Sequence, residues 1–489
     1  MSLEKMPNTN RLYPRSGAVV LSLLVAFGPA EGMGEESPDK VRFSDQPAPL
    51  QLEGFPERPP LLLELGDKFL GKGNIQRGFT MPGGAVWSPN LWVYGTMRSA
   101  VQTFDTGSTT PKSTRTTEWA NRLDIFANLQ LAATERILVG FRPVDQNAIP
   151  QRFSGYQFEP VGGPVNNRRG FIEAFSATPR TFFFEGEFGE MFPKLDKADK
   201  YSLDYGIAIG RQPLTLQDGL LINDDSIDMV SITRNSLNIP GGSTMKISPY
   251  IAWDQIERGD NLRDKTAGLF GINATADFPV STVDADVVYV NSTKQGTTGG
   301  DGFYAGIGSS QRLGKLNTVF RANTSVATEG KTTAVRNGTL LFAETSYTPW
   351  YGQDLVYLNG FWGINEFTSA ARSPTAGGPL GRVGILNAAV GLGRYAPPLS
   401  NFADNAAGGA IGYQMFFGQL RRKQLTLEIG GRAPTRTTTL LRQEAAEGIG
   451  ARYQQAFGQR VVVVLDVFGV TRETASASYG GRLEFLVKF

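Results

Sequence analysis

The 489-residue chain contains no cysteine and no histidine. The first absence excludes disulfides, lipid attachment at an N-terminal cysteine and thiolate metal sites. The second removes the commonest general base, and with it both a Ser-His-Asp hydrolase and a His-ligated zinc centre. Covalent catalysis by Ser-Lys or paired carboxylates stays open to the chain, but nothing marks it, and no catalytic residue, cofactor or metal is expected. A surplus of charge is missing as well, with 48 Lys+Arg set against 46 Asp+Glu. That balance offers no basic field to nucleic acid and no acidic tail. Nor is there a helix-spanning apolar run, which would need about 20 consecutive residues.

What is present begins with an export pattern. Lys5, Arg11 and Arg15 precede an uncharged stretch from Gly17 to Phe27, and Gly28-Pro29-Ala30 supplies small residues for cleavage. Residues 1–30 read as a signal peptide. Residues 31–88, with "QPAPLQLEGFPERPP" as their clearest part, read as a Pro-rich periplasmic lead-in.

From residue 89 to 489 the texture changes to segments of about ten residues that alternate with period two. In "NRLDIFANLQL", Leu123, Ile125, Ala127 and Leu129 take one face while Arg122, Asp124 and Asn128 take the other. "RILVGFR" continues the pattern with Arg136 and Arg142 opposite Ile137, Val139 and Phe141. "TFFFEGEF" sets Glu185 and Glu187 against Phe182 and Phe184, and "VDADVVYV" sets Asp284 and Asp286 against Val283, Ala285, Val287 and Tyr289. Arg321, Glu344 and Glu428 keep to the polar phase of three further segments. A soluble sandwich would bury the apolar phase, whereas a membrane barrel shows it to lipid and turns the polar phase to a watery lumen. An Arg or Lys on a lipid face at mid-bilayer costs about 2–4 kcal/mol, so strict segregation of charge favours lipid.

The last residues, "YGGRLEFLVKF", alternate from Tyr479 to a terminal Phe489. They resemble the closing strand of the outer-membrane β-barrel porins, in which Phe485, Val487 and Phe489 would act as the signal read by the barrel-assembly machinery. The expectation is an all-β transmembrane antiparallel up-and-down barrel of 16–18 strands in the bacterial outer membrane. The long segments "TSAARSPTAGGPLGR" and "RYAPPLSNFADNAAGGA" interrupt the strand count; each fits an outer loop, an inward constriction loop or a periplasmic connection.

A stretch from Ile207 to Asn235, with Gly210-Arg211-Gln212, Asp218 and Asp228, is similar to a signature segment of alginate-export and related substrate-selective porins. The resemblance implies passage of a solute through a wide barrel with a charged throat. Transport of alginate itself is not implied, because no dense arginine lining is visible. Arg211 shares a phase with Ile207 and Ile209, so it must sit near a rim or on a bulge. Asp224, Asp225 and Asp228 offer oxygens to calcium, but no complete loop signature surrounds them. "GFWGINEF" reads as an interface girdle built on Phe361, Trp362 and Phe367.

The pore-lining candidates are thus Arg122, Asp124, Arg136, Glu185, Glu187, Asp284, Asp286, Arg321, Glu344 and Glu428. Their mixed signs fit internal salt-bridge ladders or an opposed-charge constriction. The partners expected are outer-membrane lipid, the assembly machinery and a small hydrophilic solute or oligosaccharide. Function is read as porin-like diffusion, with a polysaccharide-export barrel or a plugged structural barrel as alternatives.

Overall fold

The computed structural model describes residues 58–69, 78–109, 115–144, 153–159, 169–195, 197, 203–294, 296, 298–349, 352–380, 384–388, 390–436 and 443–489. The signal peptide and most of the lead-in lie outside the described residues.

Eighteen antiparallel strands form one closed wall. The first six are β1 (Asn90–Asp105), β2 (Thr116–Gln130), β3 (Arg136–Phe141 continued by Ser154–Glu159), β4 (Gly170–Ile172 continued by Pro179–Glu187), β5 (Tyr205–Leu216) and β6 (Ile222–Leu237). Then follow β7 (Thr244–Asp254), β8 (Ala267–Phe278), β9 (Ser281–Ser292), β10 (Gly302–Leu313), β11 (Leu316–Ala327) and β12 (Gly338–Tyr347). The last six are β13 (Leu355–Asn365), β14 (Ala406–Phe417), β15 (Lys423–Pro434), β16 (Ala446–Phe457), β17 (Val461–Arg472) and β18 (Ser478–Lys488). Each strand pairs with its sequence neighbours, and β18 closes on β1 from Tyr479↔Asp105 to Lys488↔Thr96. Closure satisfies the backbone groups that an open edge would leave bare in lipid.

The phases read from sequence are the phases observed. Ile307, Phe320, Ile411, Ile429, Ile449 and Phe485 project outward and stay exposed, as residues facing lipid should. Arg122, Asp124, Asp284, Asp286, Arg321 and Glu428 project inward. Connections as short as Phe278 to Ser281 gather at the end that carries Asn90 and Lys488. By the porin rule of short periplasmic turns and longer outer loops, that end is periplasmic.

Phe489 extends the seam by one step. Its N–H donates to the Gly95 carbonyl at 3.1 Å, and the Gly95 N–H donates to its carbonyl at 2.9 Å. Below it the short strand Leu63–Leu65 pairs with Leu91–Val93, taking the place on the edge of β1 that β18 leaves.

Two connections fold into the barrel. The tips of β5 and β6 leave the wall: β5 pairs with β4 only as far as Arg211↔Phe182, and β6 with β7 only as far as Asp228↔Asp254. Beyond those points Leu214–Leu216 and Ile222–Asp224 pair with each other. Ile222 and Asn223 also pair in parallel with Ala371 and Arg372 of the connection between β13 and β14. That connection, residues 366–405, is the inward excursion that made the strand count uncertain.

An apolar core forms inside the barrel as a result. Leu220, Leu221 and Ile222 of the hairpin and Phe367, Ala370 and Leu380 of the connection meet inward-facing Leu269, Val288, Tyr304, Leu340 and Phe361 of the wall. Removing such a side chain from water contributes about 1.5–3 kcal/mol, which drives the connections inward instead of into solvent. The expectation of an aromatic girdle at "GFWGINEF" is corrected here. Trp362 does face outward, but Phe361 and Phe367 belong to the interior core.

Candidate functional site: the barrel lumen

The lumen is lined by ion pairs in three groups. At the seam, Arg98 reaches Glu484 at 2.6 Å, Arg482 reaches Glu484 at 2.5 Å and also grips Asp466, and Arg452 reaches Asp466 at 2.6 Å. On the next strands, Arg122 and Arg142 both hold Asp124 at 2.8 Å, while Arg142 and Arg180 hold Asp225 at 3.0 and 2.8 Å. Arg136 pairs with Glu185 at 2.6 Å across β3 and β4. Further round the wall, Arg321 of β11 binds Asp284 of β9 over the intervening β10, and Asp218 at the hairpin tip, each at 2.7 Å. Gln217 beside it donates to Asp286 at 2.7 Å, and Asn273 donates to the other oxygen of Asp286 at 2.8 Å. These bridges tie neighbouring strands together and fasten the hairpin tip to the wall.

The long connection is fastened in the same way. Glu428 accepts the N–H groups of Ile385 and Leu386 at 2.9 and 2.8 Å and the Tyr357 hydroxyl. Gly384 has a left-handed φ of +62°, and a side chain there would collide with the Glu428 carboxylate. Arg482 and Arg98 donate to the Val390 carbonyl at 2.7 and 3.2 Å, and Glu118 accepts the Arg394 N–H at 2.8 Å. Arg432 donates to the carbonyls of Leu399, Ser400 and Phe402. One strand of connection is thereby held to β15, β18, β1 and β2 in turn.

The ten pore-lining candidates all lie on the inner phase, in unequal surroundings. Asp124, Asp286, Arg321 and Glu428 are buried under hairpin, connection or neighbouring bridges. Arg122, Arg136, Glu185, Asp284 and Glu344 remain partly open to the lumen, and Glu187 ends β4 at the periplasmic side. Glu344 makes no ion pair among the described residues. The family-motif residues separate. Gly210 takes φ +124°, and Gln212 is buried just before a bulge between Gln212 and Leu214. Asp218 reaches the lumen. Arg211 and Asp228 stay on the outward phase, joined by two hydrogen bonds of 2.7 and 2.8 Å at the height where β5 and β6 leave the wall. Their pairing is what permits an outward arginine there.

Sequence reading missed Arg98, Arg180 and Arg452, and the arginines that hold the connection, Arg372, Arg432 and Arg472. Arg98 could have been found by extending the alternation through "WVYGTMRSAVQTF", and Arg432 by extending the phase of Glu428 along β15; Arg372, in the connection, carries no periodic signal.

No family model matches the chain, and no curated protein matches its sequence. Solved structures do match. A BenF-like porin from Pseudomonas fluorescens aligns with a TM-score of 0.53 at 11% identity, over 82% of this chain and 98% of that one. This chain has the fold of an outer-membrane porin. OccK9 (OpdG) of Pseudomonas aeruginosa aligns with a TM-score of 0.52 at 10% identity, over 81% of this chain and 98% of its own. OccK1 (OpdK) of the same organism gives 0.51 at 11%, with the same coverage. At that identity the likeness defines the barrel and leaves the solute to the lumen.

Proposed function

We propose that the protein is an outer-membrane channel through which small hydrophilic solutes diffuse, with the β5–β6 hairpin and the 366–405 connection setting its constriction. The observation that carries this reading is a charged lumen that two connections narrow, each anchored by buried side chains. Arg122, Arg136, Glu185, Asp284 and Glu344 are the lining groups a passing solute would meet, because they combine inward direction with access to water. We assign no catalytic role to any of them. Residues 1–30 act in this reading as the export signal, with 31–88 as the lead-in to the barrel.

The test is conductance of the refolded chain in a planar bilayer, with the reversal potential measured under a salt gradient. Discrete, stable current steps are expected. Silence from protein shown to be folded and inserted would reject diffusion and favour a plugged structural barrel.

A further inference from the structure

Where the β5–β6 hairpin, the β7–β8 connection and the 366–405 connection meet, carboxylate oxygens of Asp224, Asp225 and Glu257 lie within 4.8 Å of one another. Their cations are unevenly shared. Asp225 takes both Arg142 and Arg180, and accepts the Ser373 hydroxyl at 2.8 Å. Asp224, only 1% exposed, accepts the N–H of Ser226 at 3.1 Å and that of Glu257 at 3.2 Å, and no cation touches it. Glu257 is 8% exposed, and its Oε2 is buried with no hydrogen-bond partner.

A divalent cation would be one way to satisfy this group, but the geometry argues against it. Both oxygens of Asp225 are already engaged, leaving two carboxylates where calcium takes about six to eight oxygens. Two buried carboxylates without a cation between them are stable together only if one is protonated.

We propose that Asp224 and Glu257 share one proton, and that this proton fastens the inward-folded connections to each other, so that the constriction is firm in acid and loosens as pH rises. The junction it fastens is specific. The Arg372 N–H donates to the Glu257 carbonyl at 2.5 Å, the Ser373 N–H to the Asn223 carbonyl at 2.9 Å, and the Ala370 N–H to the Leu221 carbonyl at 2.9 Å. The charged groups facing the pair are Asp225 on the hairpin and Arg180 on β4, while Arg142, just past the first segment of β3, and Arg122 on β2 act on Asp225. From the connection, Arg372 turns its guanidinium to the carbonyls of Gly219 and Gly377 at 2.6 and 2.8 Å. Arg258, on the β7–β8 connection itself, is paired with Asp264.

Burial first, and then the Asp224 charge, hold the Glu257 carboxyl above the ordinary carboxylate range. The sign follows from linkage. The docked junction keeps a proton that the opened junction releases, so docking is complete below the ordinary carboxylate value and weakens as pH climbs towards the raised one.

The proposal deepens the channel reading and rests on it only for the effect on current, so its test is made on the fold. Hydrogen exchange of the full chain, folded in lipid, would follow the amides of Ala370, Arg372 and Ser373 from about pH 6 to about pH 9, corrected for intrinsic exchange. Their opening should rise about tenfold per pH unit where one proton is released, while amides of the wall strands stay closed. Glu257→Gln and Asp224→Asn each replace a carboxylate with a neutral amide and should flatten the profile. A flat wild-type profile overturns the proposal, as does an unchanged slope in both variants. If one variant fails to close its wall amides, the other decides. A channel that conducts nothing yet shows the slope would reject the diffusion reading and keep the proton.

Discussion

Arg211 grips Asp228 through two nitrogen donors on the outward face of the barrel, at the level where the two strands that carry them turn into the lumen. Each charge makes the other tolerable. Arg211→Ala should destabilise the folded barrel by about 2 kcal/mol, below the ~3–5 kcal/mol of a fully buried broken pair because both side chains are partly exposed. The double replacement Arg211→Leu with Asp228→Leu should recover most of that loss, since an apolar pair suits lipid. Urea unfolding in lipid vesicles measures both, and a double variant no more stable than the single one would refute the account.

The seam gives a second expectation. Deleting Phe489 removes both backbone hydrogen bonds to Gly95, and should lower the amount of heat-modifiable, inserted barrel in the outer membrane. Gly95→Val should also disturb the seam, because a Cβ at that position would collide with the Asp124 carbonyl oxygen and lie 2.9 Å from the Phe489 ring. Normal insertion of the shortened chain would remove Phe489 from any role in assembly.

Glu428 anchors the long connection through two backbone N–H groups and a tyrosine hydroxyl. In Glu428→Ala those buried donors lose their acceptor, at about 1–3 kcal/mol for each group left unsatisfied. The connection should then detach locally while the wall persists. Single-channel recordings would show larger or noisier steps, and unchanged traces would mean that the connection does not bound the path.

Glu344 faces the lumen and makes no ion pair among the described residues, so Glu344→Gln should leave stability unaltered within about 0.5 kcal/mol. Its effect should fall on selectivity. The reversal potential is expected to move towards anions, because one lumenal negative charge is gone. No movement would place Glu344 away from the conducting route.

Much of this architecture is legible in sequence because the two faces of each strand meet different solvents. Val287 and Tyr289 against Asp284 and Asp286 is an unambiguous instruction at one residue's resolution. What could not be read is whatever depends on a third surface. Val288 and Tyr304 point inward although apolar, and only the hairpin and connection that cover them explain it. Phe361 and Phe367 read as membrane-interface residues in the sequence for the same reason. The hairpin tip, "PLTLQDGLLIND", looks like an ordinary strand end, since a strand leaving the wall keeps its alternation. The charged lining shows its members through phase, but some of their partners come from elements distant in sequence: Arg321 and Asp218 stand 103 residues apart.

The position of residues 366–405 inside a ring completed by the final strand has a bearing on how the molecule is made. The insert and the ring share their anchoring side chains, so each is completed by the other. The polar and apolar anchors of the insert also join early strands to late ones, from Glu118 to Arg482. The contacts of the insert are therefore complete only in the closed ring, which makes its docking and the arrival of the last strand coupled steps.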